Sequence, residues 1–314
     1  MPRSNVHTDA ILSNFALAYS QQGLWIADKA SPVKPVSKES DTYYKYLLKD
    51  VITPRVSVLR ANGAPAAQST WDFTTGTYQC HEYALKDVAT DRDKANQDSP
   101  INVEMDSTKY VTDQLMLARE IRVATALFNG TTFTSYTTAL GATTYWSNYT
   151  ASTSVPFTNV ETARDSILQN SLQVMNTMIM GYDVFKAVRN HPAVLDRVKY
   201  GGGPTDPAVI GPAELAKAFD VQNVLIGRAI YNTANEGQDA TPAKVWGKNV
   251  LFCYINPSPG IKDITLGLTF RTKAFQIKKW YDDEVDGTWI QGSTIEDEVV
   301  NCAGCGYYYT AVVA

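Results

Sequence analysis

The chain has 314 residues, 44% of them hydrophobic and 19% charged, with a formal net charge of -4. This is the composition of a globular protein with one large or two ordinary domains. The mild negative balance, with no basic run, argues against a nucleic-acid-binding groove, and no stretch approaches the roughly 18 continuous apolar residues of a membrane span. The N-terminal segment is split by Ser13 and Asn14 and lacks the apolar centre of a signal peptide. Four cysteines, only two of them closely spaced, suit a reducing compartment. Eighteen Tyr and six Trp favour extended structure and broad contact surfaces.

Residues 1–42 offer little to a core. Ala10–Ala18 has the spacing of a short amphipathic helix, and Ser31-Pro-Val-Lys-Pro-Val-Ser-Lys38 reads as a solvated, polyproline-like strip. Ordering about 40 residues costs roughly 40–80 kcal/mol of backbone entropy. If those residues are ordered, at about 25 cal/mol per Å² this calls for roughly 1,600–3,200 Å² of apolar burial, and the arm then lies on neighbouring chains.

From Tyr43 to about Ser99 the pattern is strand-like. Val51–Leu59 alternates and leads to Asn62-Gly63, a hairpin-turn signal, and Trp71–Cys80 and Glu82–Val88 return. Pro54 and Pro65 confine the first pair to an edge. A two-stranded excursion is marginal alone in water and needs a partner surface.

Asp106–Asn129 is predicted as one long helix of roughly 35 Å. Asp106, Ser107 or Thr108 would cap its start, and Asn129-Gly130 would stop it. Leu117, Ile121, Ala124 and Phe128 share one face, widened by Leu115 and Ala118, while Thr112, Arg119, Glu120 and Arg122 carry the polar side. The helix reads as a spine between an extended, core-poor segment and a compact one. Gly130–Phe157 reads as strands and loop.

The compact part alternates helices with short buried strands. Helices are predicted over Asn159–Gln173, Tyr182–Arg189 (stopped by His191-Pro192) and Gly211–Phe219, and strands over Val174–Gly181, Val224–Gly227 and Lys248–Ile255. Gly201-Gly-Gly-Pro204 reads as a loop. The end, Phe275–Ala314, returns to strand alternation around a turn at Asp286-Gly287.

Little in the chain asks for catalysis. Cys302-Ala-Gly-Cys305 has the spacing of half a zinc site, completed by Cys80 and His81, or of a redox pair. A structural zinc site wants two such pairs and a thioredoxin-like motif wants a strand-to-helix junction, so a glycine turn with free thiols is preferred. His81-Glu82 lacks a second histidine at Leu85. Asp282–Gly287 opens like a calcium loop but has Ser293 where the bidentate Glu belongs. Gly201-Gly-Gly is followed by no Gly-Lys-Ser/Thr, and there is no Gly-x-Ser-x-Gly elbow. No catalytic, cofactor-binding or metal-ligating residue is expected.

The order of parts, together with Trp71-Asp-Phe through Tyr83-Ala-Leu and Asp87-Val, Leu117–Ala124, Met178-Ile-Met-Gly through His191-Pro192, Val221–Ala229, Val245–Leu251 and Gly267-Leu-Thr-Phe270, resembles the major capsid proteins of tailed bacteriophages. The resemblance runs from about 43 to 314. It implies the α+β, Hong Kong 97-type capsid fold, with an N-terminal arm (1–42), an extended β-hairpin loop, or E-loop, and entry to the peripheral domain (43–103), and a peripheral domain with the spine helix 106–129 (104–158). A compact axial α/β domain (159–246) and return strands completing both domains (247–314) would follow. Such a protein assembles with itself into pentamers and hexamers of an icosahedral shell around a double-stranded DNA genome, binding that DNA without sequence specificity and no membrane. Partners implied are a separate scaffolding protein, expected because the sequence begins at Met1 with no scaffold segment before the arm, a portal and a decoration protein. The implied location is the virion, after assembly in the bacterial host cytoplasm.

Trp25 and Pro35 in the arm, Asn62 and Gly63 at the loop tip, and Trp71 and Tyr78 in the hairpin are the expected inter-subunit contacts. Removing residues 1–35 is expected to leave a soluble fold that closes no shells. Two alternatives are a bacterial nanocompartment (encapsulin-like) shell subunit, which typically lacks so long an arm, and a metal or redox enzyme built on Cys302 and Cys305.

Overall fold

A computed structural model of the chain describes residues 7–8, 25–46, 48–53, 59–60, 62–63, 65–66, 68, 72–96, 102–201, 210–235, 237–260 and 263–314. The expectations for Ala10–Ala18, residues 54–58, Trp71 and 202–204 lie outside the described residues. In chain order the elements are β1 (His7–Thr8), α1 (Ala27–Ala30), β2 (Val33–Pro35), β3 (Ser40–Tyr46), α2 (Leu48–Ile52), β4 (Phe73–Gln79), β5 (His81–Thr90), α3 (Asp91–Ala95) and α4 (Val103–Leu127). There follow β6 (Thr137–Ala139), α5 (Pro156–Ser171), β7 (Thr177–Gly181), α6 (Tyr182–Arg189), α7 (Pro192–Gly201), α8 (Pro212–Ala218), β8 (Asn223–Gly227), β9 (Ile230–Asn232), β10 (Pro242–Lys244) and β11 (Val250–Cys253). The chain ends with β12 (Gly267–Asp282), β13 (Gly287–Val300), a 3-10 turn (Ala303–Cys305) and β14 (Gly306–Thr310).

One sheet carries the compact part. Its order is β6-β14-β11-β7-β8, with β7 parallel to β8 and β11 antiparallel to both β7 and β14. Every residue of β7 and β11 is buried, as expected for central strands covered on both faces. Met178 and Phe252 pack with Ile167, Val184, Leu215 and Trp146 in the larger core. The α6 boundaries match the sequence expectation, but His191-Pro192 also opens a further helix, α7, because proline suits the first helical position. His191 is buried and serves that corner: its Nδ1 accepts the Ala193 N–H and its Nε2 lies 3.1 Å from Ser154 Oγ. Burial lowers its pKa.

Gly227 ends β8 where the Trp246 indole crosses the sheet. A Cβ there would lie 2.0 Å from Trp246 Cδ1. Gly227→Ala is therefore expected to cost about 3 kcal/mol, the upper range for overpacking, read as a lower unfolding midpoint.

The second sheet is built on the hairpin of β12 and β13, paired from Gly267↔Val300 to Asp282↔Gly287 and turned through Asp286 at φ 43°. β5 lies antiparallel on β13, and β2 and β1 lie on β12. α4 packs across β13 and β5.

Four expectations are corrected here. The spine helix starts earlier, with Asn102 as its cap through a side-chain bond from the Met105 N–H. Its buried stripe is Thr108, Val111, Thr112, Arg119, Glu120, Val123, Ala124 and Leu127, so most of the side read as polar faces inward and Leu117 and Ile121 are only half-buried. Val51 and Ile52 are helical, and the strand paired with β4 is β3, in register from Ser40↔Gln79 to Tyr46↔Phe73. Residues 26–32, expected outside the core, are within it: Ile26, Ala27 and Ala30 pack with Leu127, Ile179, Leu251 and Leu266.

Candidate assembly surfaces

Two polar knots hold the arm and the long strands to the spine. In the first, the buried Glu120 carboxylate accepts the Ile26 N–H at 3.1 Å, the Ala27 N–H at 2.9 Å and the Trp246 indole N–H at 2.6 Å. Burial raises its pKa, against the pull of those three donors. A carboxylate at this place satisfies backbone groups that open α1 and would otherwise be buried unpaired.

The second knot is centred on Glu296, which is 0% exposed. Arg122 Nη2 approaches its Oε1 at 2.7 Å and Arg271 Nη2 its Oε2 at 2.8 Å, while Arg119 Nε makes a longer ion-pair contact at 3.4 Å. Arg119 continues to Asp28 in α1, and Arg122 to Glu298 while stacking 3.6 Å over the Tyr83 ring. Burial opposes the Arg119 charge, but Asp28 and Glu296 outweigh it and raise its pKa. Burial raises the Glu298 pKa, against the attraction of Arg122. The network joins α1, α4, β5, β12 and β13, elements far apart in the chain.

Beyond these anchors the hairpin of β3 and β4 forms its own two-stranded sheet. Its inner residues, Tyr43 and Tyr78, pack on Phe270, with Tyr78 stacked at 4.3 Å. Its outer residues are half-exposed: Tyr44 is 50% and Phe73 49% exposed, their rings 4.6 Å apart. Val51 and Ile52 are exposed too, and Leu59 is 94% exposed. Of the expected contact residues, Asn62 and Gly63 are exposed in a turn with Gly63 at φ 81°, Pro35 is exposed at the end of β2, and Trp25 is half-buried beside α1. Tyr78 is spent on the chain's own core, and Trp71 lies outside the described residues. Tyr44 and Phe73 were passed over, although strand alternation with Tyr43 inside places Tyr44 outside.

The four cysteines are free thiols, and Cys80 Sγ faces the Phe270 carbonyl in the hairpin core rather than the Cys302–Cys305 turn. Among the described residues no group of three His, Cys, Asp or Glu is placed to hold a metal. No helix among them is long and apolar enough to cross a membrane.

A spine helix on a long-stranded sheet, a compact second sheet with flanking helices, and a projecting hairpin define the Hong Kong 97-type fold of phage capsid proteins. No family model matches the chain. In sequence it is similar to the major capsid protein of Pseudomonas phage JBD67, 25% identical over 263 residues, 83% of this chain and 82% of that protein. It is also similar to the major capsid protein of Burkholderia phage BcepMu, 26% identical over 254 residues, 79% of this chain and 76% of that one. In structure it resembles a phage-related protein of Bordetella bronchiseptica, with a TM-score of 0.73, 21% identity and 99% of both chains covered. The capsid structure of cyanophage P-SCSP1u matches with a TM-score of 0.58 and 14% identity over 89% of this chain and 86% of that one. A virus-like particle from Pyrococcus furiosus shares the fold at a TM-score of 0.56 and 9% identity, covering 95% of this chain and 97% of that one.

Proposed function

We propose that this chain is the major capsid protein of a tailed phage, a structural protein whose copies form the icosahedral shell around a double-stranded DNA genome. The observation that carries this reading is the sequence similarity, over about four-fifths of the chain, to two phage major capsid proteins. Similarity of fold alone is shared with the Pyrococcus particle; the sequence relatives, both major capsid proteins of phages, favour a phage shell. Exposed apolar groups around the hairpin support it, because Tyr44, Phe73, Val51, Ile52 and Leu59 leave apolar surface open to solvent that calls for a protein partner.

In this reading residues 159–246 gather at the centre of pentamers and hexamers, and the spine helix and long strands form the periphery. The hairpin, with Asn62 and Gly63 at its turn, lies over an adjacent copy, as does the arm with Trp25 and Pro35. Shell closure draws on a separate scaffolding protein and a portal in the host cytoplasm, a decoration protein binds outside, and the finished protein resides in the virion. The DNA is enclosed without base-specific contacts, in keeping with the net charge of -4.

Negative-stain electron microscopy with sedimentation velocity on the purified protein tests this. Closed shells or capsomer rings are expected, and Tyr44→Ser with Phe73→Ser should shift the population to unassembled subunits. A homogeneous monomer at every concentration, from the protein expressed alone and from the protein expressed with its neighbouring phage genes, would overturn the proposal.

A further inference from the structure

Cys302 and Cys305 stand at the two ends of a tight turn. The Cys305 N–H donates to the Cys302 carbonyl at 3.0 Å, so their Cα atoms lie within about 7 Å, the span a disulfide bridges. Their surroundings differ. Cys305 is 0% exposed, packed with Cys253 and Leu266 in the core. Cys302 is half-buried and lines a groove of about 370 Å³ between the hairpin base, at Tyr44, Lys45 and Thr74, and the end of α5, at Leu172.

The charge of Cys302 is supported where it stands. The neighbouring Cys305 thiol favours it against the opposing effect of burial, the Gly304 and Cys305 N–H groups add to that, Lys45 attracts it across the groove, and its pKa falls below the ordinary thiol range. The same contact, with burial, pushes the Cys305 thiol far up. One sulfur is thus reachable and nucleophilic, while the other is sealed behind it and still protonated.

We propose that Cys302 and Cys305 are a redox-active dithiol, Cys302 attacking and Cys305 resolving, whose reaction partner is a small disulfide of the glutathione class entering the groove. The Cys302 thiolate attacks one sulfur of that disulfide, forming a mixed disulfide and releasing one thiolate. Cys305 then attacks Cys302 Sγ, closing the intramolecular bond, and its proton goes to the second departing thiolate. The small disulfide is reduced to two thiols as the dithiol is oxidised. Closure removes the negative sulfur facing Lys45 and with it one attraction between the hairpin base and the body.

The test uses the reduced full-length protein, glutathione disulfide as the oxidant, and iodoacetamide as a probe of each cysteine by peptide mass spectrometry. Alkylation of Cys302 should rise with a midpoint at lower pH than in the guanidinium-unfolded chain. At pH 7 the larger thiolate fraction, partly offset by lower intrinsic nucleophilicity, should make it roughly threefold faster than in the guanidinium-unfolded chain. With glutathione disulfide the native protein should yield a Cys302–Cys305 bond and retain no glutathione, while Cys305→Ser should retain one glutathione on Cys302. A midpoint no lower than in the unfolded chain, or a native rate no faster than the unfolded one, would overturn the assignment of Cys302. Glutathione retained on native Cys302 would overturn the role of Cys305.

Discussion

Glu296→Ala is expected to destabilise the subunit by about 3–5 kcal/mol, the range for breaking a buried ion pair from one side. The carboxylate is fully buried and faces three guanidinium groups, from Arg119, Arg122 and Arg271. Arg119 is itself only 5% exposed, and its Nη2 already lacks a hydrogen-bond partner, so it cannot turn to water when Glu296 is gone. Arg122 retains Glu298 and the Tyr83 ring, which limits the damage on that side. Glu298→Ala should therefore cost clearly less, since it is bonded to Arg122 alone among these arginines and leaves Glu296 to hold the cluster. Urea unfolding followed by tryptophan fluorescence compares the variants. A Glu296→Ala loss below about 1 kcal/mol, the range of an exposed pair, would mean that water reaches the cluster and that it does not anchor α4 to the long strands.

That cluster also marks where reading the sequence reaches its limit. The strands β7, β8 and β11 and the helix α6 were legible because their own residues state their environment: Met178-Ile-Met-Gly181 and Val250–Cys253 are apolar throughout, and α6 has one clear apolar face. The length of α4 was legible for the same local reason. Its orientation was not, because Arg119 and Glu120 are buried against partners at Asp28, Trp246 and Glu296, from 91 to 177 positions away, while Thr112 turns its hydroxyl back onto the Thr108 carbonyl. A polar residue carries no sign that it will be matched. Residues 26–32 were misread for a related reason: Ala27, Ala30 and Ser31 are small, and their fit under α4 is a matter of close approach rather than of hydrophobic mass. Among the contact residues, aromatic content drew attention to Tyr78, whereas the pairing of β3 with β4 decides that Tyr43 and Tyr78 point in and Tyr44 and Phe73 out. That register depends on which strand is the partner, and Val51–Leu59 competes for the role on pattern alone.

Removing residues 1–24 and removing residues 1–36 should have opposite consequences for folding, and the contrast separates the arm's part in assembly from its part in the core. The shorter cut takes only the two residues of β1 from the described structure and leaves α1, β2 and both polar knots intact. It should give a soluble subunit with an unchanged unfolding midpoint that, on the proposed function, closes no shells. The longer cut removes the buried Ile26, worth about 1.5–3 kcal/mol, together with Ala27, Ala30 and the edge pairing of β2 with β12. It leaves the Glu120 carboxylate with Trp246 as its one donor among the described residues and takes Asp28 from Arg119, a penalty of about 1–3 kcal/mol for each stranded buried group. The combined loss, on the order of 5 kcal/mol, is comparable with the whole stability of a typical domain, about 5–15 kcal/mol. The longer truncation should therefore collect in the insoluble fraction, and the soluble product first expected of a 1–35 deletion is not what this structure predicts. Circular dichroism melts and electron microscopy on both variants decide the matter. Normal shells from the shorter form would remove the arm from assembly, and a stable, native-like longer form would remove residues 26–32 from the core.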